Sequence, residues 1–246
     1  MGDAPAVLTL HAVDTAAEEG VVVDAAVLAE LGCRPLQVVT AVLASGAHGP
    51  HALEALSPAL VAQQFEAALE IARPRAVRVG ILRTPEQVRL LAELLRTYHL
   101  DGLVLAPPRR LHRTEVQDAA TREAIAVHLE PICRVCVIRA VDLLGAEGNG
   151  TAELPALRAA AAALRAGGAR AVLVAGAAWH GRIVDLLDEE GAETVLDTAR
   201  VCAPRVAGLA SAHAAALAAH LAHGRSLLQA AEAAQRYVAQ RLQRGR

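Results

Sequence analysis

Short apolar runs alternate with helical segments along most of this chain, and that rhythm restricts the fold more than any other feature. "AVLTLHAV" (6–13), "LQVVTAVLA" (36–44), "AVRVGIL" (76–82), "GLVLAP" (102–107), "RVCVIRA" (134–140) and "ARAVLVAG" (169–176) are short, apolar and mostly β-branched. Runs of that kind suit strands buried on both faces. Ser57-Pro58 opens "SPALVAQQFEAALEIA" and Thr84-Pro85-Glu86 opens "TPEQVRLLAELLRTYH", each a hydroxyl cap followed by proline in the first turn. Thr151 precedes "AELPALRAAAAALRAGG", which stops at paired glycines. Strands alternating with helices of this length build βαβ units, so the pattern predicts an α/β fold with a mainly parallel sheet covered on both sides. After residue 176 the rhythm changes. "RIVDLLDEEGAETVLDTARV" reads as a hairpin turning at Glu189–Gly191, and two long helices follow, near 208–223 and 226–243. No linker, low-complexity tract or repeat interrupts the chain, which predicts a single domain over residues 1–246.

Composition narrows the chemistry. Apolar residues make up 54% of the chain but aromatic ones only 2%, so aliphatic and alanine packing must fill the interior. All 24 basic residues are arginine, which excludes any mechanism that needs a lysine ammonium. A formal net charge of −2 with dispersed arginines argues against a nucleic-acid surface. No apolar run reaches bilayer length, and the N-terminus lacks a basic segment followed by an apolar one, so a cytoplasmic protein without a membrane partner is expected. Cys133 and Cys136 form a C-x-x-C in "PICRVCVIRA", but no second pair or nearby histidine completes a zinc site. Buried thiols and no metal site are the expectation.

"RVAGLASAHAAALAAHLAHG" (205–224) turns from a loop of small residues into an alanine-rich helix. Such a helix start can hold an anion on its free N–H groups, yet the stretch lacks the glycines, acid or thiol of a reactive pocket. His213, His220 and His223 fall along this helix without a carboxylate to complete a metal triad, and read as polar decoration.

Several phrases, in order, resemble the hydroxymethylpyrimidine/phosphomethylpyrimidine kinase family of the ribokinase-like superfamily. "LAELGCRPLQVVTAVLA" resembles its second-strand region and "LSPALVAQQFEAAL" the helix that follows. "AVRVGIL" stands where the family has a lysine-isoleucine-glycine-methionine strand, and "AHLAHGRSLLQAAEAAQRYV" is close to its final two helices. The resemblance covers nearly the whole chain and implies a ribokinase-like three-layer sandwich. It also implies ATP-dependent phosphorylation of the thiamin pyrimidine precursor, and a homodimer.

The resemblance locates the reactive positions, and many are altered. The family's glycine-threonine-glycine-cysteine turn falls on Gly208, Leu209, Ala210 and Ser211, an anion-hole remnant with Ser211 in place of the cysteine as candidate base. A serine hydroxyl is a poor base without a partner such as histidine, and His213, two residues on, points elsewhere on a helix. The asparagine-x-x-glutamate motif is replaced by "AVDLLG", leaving Asp142 as a nearby carboxylate; Asn149, the only asparagine, has no glutamate three residues later. Ala175 stands at a family lysine, Ala106 at an aspartate, and His180 near a histidine. Trp179 lies where the superfamily places nucleotide. In the first loop, "VDTAAEEGVVVDAAVLAEL" keeps Asp14, Gly20 and Asp24, with Asp24 on the aspartate that reads the pyrimidine. Otherwise Asp24 is a solvated helix-start carboxylate. Ser45 replaces the ring-contacting glutamine. Glu18 and Glu19 have no obvious counterion, would repel a phosphorylated ligand, and predict a loosely ordered loop.

Three readings follow. The chain is a pseudokinase that binds a pyrimidine-type small molecule or a partner with little phosphoryl transfer. Alternatively it is an active kinase with a rebuilt site, using ATP and Mg with Ser211, Asp142 and arginines such as Arg78. The third reading is a structural subunit pairing with an active thiamin-pathway enzyme.

Overall fold

The computed structural model describes residues 4–46, 49–111, 114–143, 154–179, 182–198 and 208–244. Thr151, Asn149, His180 and Cys202 therefore lie outside the described residues. The chain begins with β1 (Ala6–Asp14), α1 (Val21–Glu30), β2 (Arg34–Gly46), β3 (Gly49–Ala55) and α2 (Pro58–Ile71). β4 (Ala76–Val79), α3 (Pro85–Thr97) and β5 (Leu103–Leu105) come next. A small ribbon of β6 (Arg110–Leu111) and β7 (Thr114–Glu115) precedes α4 (Ala119–His128) and β8 (Val135–Arg139). Then come α5 (Ala140–Leu143), α6 (Leu154–Ala166), β9 (Ala171–Trp179), β10 (Arg182–Glu189), β11 (Ala192–Thr198), α7 (Leu209–Ala222) and α8 (Leu227–Arg244).

The nine-stranded sheet has the order β11-β10-β9-β8-β5-β4-β1-β2-β3. Pairing is parallel from β9 through β2 and antiparallel at both margins, where β3 and the β10–β11 hairpin are added. The predicted capped helices form: Ser57 accepts from the Leu60 N–H at 3.3 Å and Thr84 from the Gln87 N–H at 3.3 Å. β3 is an addition that the apolar pattern did not mark. β3 has mostly exposed side chains, so no burial imprints a period on it.

Period-two alternation divides the strands between two cores. Leu8, Leu10, Val77, Val79, Leu103 and Leu105 join Phe65 of α2 and residues of α3, α4 and α6 on one face. Val7, Ala76, Val104, Val135 and Leu173 face α1, α7 and α8 on the other. Cross-sheet register aligns Thr9 with Arg78, Arg78 with Val104, and Val104 with Val135. His11, Arg78, Ala106, Arg139 and Ala175 therefore share the α7 side, toward the C-terminal ends of parallel strands. That end of an open parallel sheet, where the strand order reverses beside β1, is where ligands sit in α/β folds.

α7 is sandwiched between the sheet and its neighbouring helices, and eleven of its residues are buried. This corrects the reading of His213 and His220 as polar decoration, while His223 is exposed. His213 and His220 are both buried, and burial lowers the His220 pKa to about 4. A helix covered on all sides shows no amphipathic stripe, which is why its sequence did not reveal the burial. No helix among the described residues is long and apolar enough to cross a membrane. Cys133 and Cys136 are buried thiols, and burial raises the Cys133 pKa to about 12.

Candidate active site

A small cleft of about 40 Å³ opens above the C-terminal ends of β1, β4, β5, β8 and β9, against the start of α7. Alanines and prolines form its apolar wall: Ala106, Pro107, Pro108, Ala175 and Ala210. Its polar groups are His11, Glu19, Arg78, Arg139, Asp142, Ser211 and His213.

Ser211 is at the centre of a buried polar cluster. Its Oγ lies 2.5 Å from Glu19 Oε2, 3.3 Å from Arg78 Nη2 and 3.4 Å from His11 Nε2. The Ala12 N–H donates to His11 Nδ1 at 2.8 Å. Burial, and then the Arg78 charge, hold the His11 pKa well below its usual value, so the ring is neutral. With Nδ1 accepting, the ring proton is on Nε2 and points at Ser211. Ser211 therefore accepts from His11 and Arg78 and donates its own proton to Glu19. The short distance to Glu19 is typical of a hydroxyl bound to a carboxylate. The histidine beside Ser211 thus comes from β1 rather than from the neighbouring His213, and with Nε2 protonated it donates to the hydroxyl instead of taking its proton. His213 turns to Asp185, Nε2 to Oδ2 at 3.5 Å without a hydrogen bond, and Asp185 accepts from the Gly176 N–H at 2.7 Å.

Behind this cluster Arg78 meets Asp24. Their closest atoms, Nε and Oδ2, are 3.4 Å apart, and both side chains are essentially inaccessible to water. The alignment is too poor for a hydrogen bond, so charge alone links them. Desolvation raises the Asp24 pKa to about 7 against the opposing pull of Arg78. Asp24 is therefore no solvated helix-start carboxylate, and it does not line the cleft. It shares the inward stripe of α1 with Val23, Val27 and Leu28. Gly80 keeps the layer tight, since a Cβ there would collide with Arg78 and His11.

The other candidate residues are dispersed. Gly20 caps α1 at φ 88°, and a Cβ on it would strike the Ala12 carbonyl. Only glycine meets both conditions. Ser45 exchanges hydrogen bonds with Thr15, its N–H donating to Thr15 Oγ1 at 2.9 Å and its carbonyl accepting at 3.1 Å. Neither residue lines the cleft. Gly208 takes the left-handed conformation (φ 74°) that starts α7. Leu209 opens the helix, and of the four residues at this turn Ala210 and Ser211 reach the cleft.

The expectation that Glu19 lacks a counterion is corrected. Burial raises its pKa, but Arg78 and Arg139 both favour its charged form. Its loop is also tied down: Asp14 accepts from the Ala16 and Glu18 N–H groups, and the Thr15 N–H donates to the Leu43 carbonyl. Glu18 is exposed. Arg139 is held by Asp142 through two 2.7 Å bonds and donates to the Arg110 carbonyl at 2.6 Å.

Sequence reasoning passed over His11, Arg139 and Asp185. A usable signal existed for two of them: a histidine and an arginine at alternate positions of otherwise apolar strands must be buried with partners.

The family model for phosphomethylpyrimidine kinase matches residues 14–246. The chain belongs to the phosphomethylpyrimidine kinase family. A hydroxymethylpyrimidine/phosphomethylpyrimidine kinase from Streptomyces coelicolor is 29% identical over 234 residues, covering 95% of this chain and 87% of the relative. A protein of the same description from Synechococcus elongatus is 28% identical, covering 97% and 91%. The crystal structure of a phosphomethylpyrimidine kinase from Clostridium difficile superposes with a TM-score of 0.78 at 21% identity, covering 96% of this chain and 98% of that one. That likeness shows the ribokinase-like fold. The magnesium nucleotide that the resemblance implies would meet a cleft whose arginines already have internal partners. Arg78 is engaged with Asp24 and Ser211, and Arg139 with Asp142. Among the described residues no group of three histidine, cysteine, aspartate or glutamate side chains is placed to hold a metal ion.

Proposed function

We propose that this chain is a non-phosphorylating member of its family, a protein that takes a hydroxymethylpyrimidine-type ring into the cleft and does not use magnesium-ATP on it. One observation carries the reading: each arginine of the cleft already has an internal carboxylate or hydroxyl partner. A bound triphosphate would compete with Asp142 for Arg139 and, among the described residues, would find only Nη1 of Arg78 unpartnered. The acids Glu19 and Asp142 add repulsion for a polyanion at the same place.

Calorimetry on the full-length chain tests this directly. Hydroxymethylpyrimidine should bind, magnesium-ATP should not, and a coupled assay should record no pyrimidine-dependent ADP release. Steady turnover would sink the reading.

A second reading, an active kinase with a rebuilt base, draws on the Ser211–Glu19 bond. Ser211 would accept the proton of the substrate alcohol while passing its own to Glu19, with His11 and Arg78 steadying the oxygen. If so, Glu19→Gln would abolish the turnover that the first reading says is absent.

A further inference from the structure

Groups of positive character converge on one point. The N-terminus of the 14-residue α7 offers backbone N–H groups that its own helix leaves unpaired. His11 Nε2–H and Arg78 Nη2 both lie within 3.4 Å of Ser211 Oγ. Arg78 is 1% exposed and lines the cleft, and its Nη1 has no hydrogen-bond partner among the described residues. A buried guanidinium nitrogen left unpaired beside a helix start is a donor waiting for an acceptor. The Glu19 carboxylate lies 2.5 Å from Ser211 Oγ; burial raises its pKa, and the Ser211 hydrogen bond and then the Arg78 and Arg139 charges oppose that shift. The loop that carries it lies against α7, since a Cβ on Gly208 would come within 2.6 Å of the Glu18 carbonyl oxygen.

We propose that Glu19 is a built-in anion filling this position, so that the cleft accepts an uncharged ligand and turns away one carrying a phosphate. A carboxylate and a phosphate monoester seek the same donors and repel each other at this range. The proposal deepens the reading of the cleft as a small-ligand site by naming the residue that sets its selectivity. It requires no bond to form or break.

The test uses inorganic phosphate as probe, with chloride as the ionic-strength control. Phosphate binding is followed by calorimetry and by the melting temperature of the full chain, in wild type, Glu19→Gln, Glu19→Ala and Glu18→Gln. Glu18 is exposed in the same loop and loses the same charge out of position. Wild type and Glu18→Gln should show no phosphate binding at 1 mM. The two Glu19 variants should each bind phosphate at least tenfold more tightly than wild type. Equal phosphate affinity in wild type and both Glu19 variants overturns the proposal, as does an equal gain in Glu18→Gln. Because the Glu19 loop is partly exposed, both variants should fold, and the melting curve without phosphate verifies it. The outcome is separable from the functional reading. Phosphate gained without any binding of hydroxymethylpyrimidine would defeat that reading and leave this one standing, and the reverse pattern would do the opposite.

Discussion

The two faces of the central sheet are made by the same strands and stabilised in opposite ways. On the face toward α2, α3, α4 and α6, residues such as Leu8, Leu10, Val79 and Phe65 form an unbroken aliphatic core. On the face toward α7, the same strands begin apolar, at Val7, Ala76 and Val104, and then turn polar at His11, Arg78 and Arg139. Removing apolar area from water stabilises the first face, by about 25 cal/mol per Å². Burying charge costs free energy, so the second face holds only because each charge meets another. Strand alternation permits this division, since a neighbour one residue away belongs to the other core. A site can thus be carved into one side of a sheet without loosening the other.

Matched substitutions on the two faces should break the comparison most visibly. Arg78→Met leaves Asp24 and Glu19 buried without their shared cation, and should cost about 3–5 kcal/mol at neutral pH. Phe65→Ala, fully buried on the opposite face, should cost a similar amount, about 3–5 kcal/mol, through lost packing. Their pH profiles distinguish them. Acid protonates Asp24, whose pKa is raised to about 7, so the Arg78→Met deficit should shrink toward pH 5, whereas the Phe65→Ala deficit should not change. Urea unfolding at pH 5 and pH 8 measures both. Equal deficits at the two pH values for Arg78→Met would show that the cluster is not held by charge.

Asp24→Asn sharpens the same contrast at smaller cost. The folded-state pKa of Asp24 is raised from 3.8 to about 7, chiefly by desolvation. Between those values the folded protein keeps a proton that the unfolded chain has released. The contribution is therefore fully present below the unfolded pKa and is lost as pH rises from about 4 through about 7. Asp185 and Glu19, also raised by burial, act in the same direction, while the lowered His11 and His220 act in the other. Only the difference between wild type and Asp24→Asn isolates this one group. The wild type should lose stability relative to the variant across that window, and parallel curves would remove Asp24 from the account.

The sequence revealed most of the apolar face and only part of the polar one. Strands buried on both sides advertise themselves as apolar runs, and the hydroxyl caps at Ser57 and Thr84 announce their helices locally. The polar cluster joins His11 to Ser211 across 200 positions, and no local pattern encodes such a meeting. Glu18 and Glu19 are the same residue in adjacent places. One is exposed and the other lies against Ser211, and only the turn that Asp14 ties down separates them. Asp24 was more legible than it was made to be. It falls on the stripe of Val23, Val27 and Leu28, spacing that puts a residue on the buried side of a helix.

The smallest expected effect tests whether backbone fit on the polar face matters as much as charge. Gly208 combines a left-handed φ of 74° with a close approach to the Glu18 carbonyl, where a Cβ would come within 2.6 Å. Alanine there faces both a strained backbone and a steric contact, and should cost roughly 1–3 kcal/mol. The contact is with backbone, which cannot rotate aside as a side chain does, so the loop should move away from α7 and take Glu19 with it. Gly208→Ala should therefore lower the melting temperature by roughly 2–12 °C, at about 2–4 °C per kcal/mol for a chain of this size, and weaken the Ser211–Glu19 bond. Ser57→Ala, the loss of a cap on α2 at about 1 kcal/mol, provides the control on the opposite face. If phosphate binding rises in Gly208→Ala and stays at the wild-type level in Ser57→Ala, the position of Glu19 rather than overall stability sets what enters the cleft. An equal response in both variants would mean that general loosening opens the site.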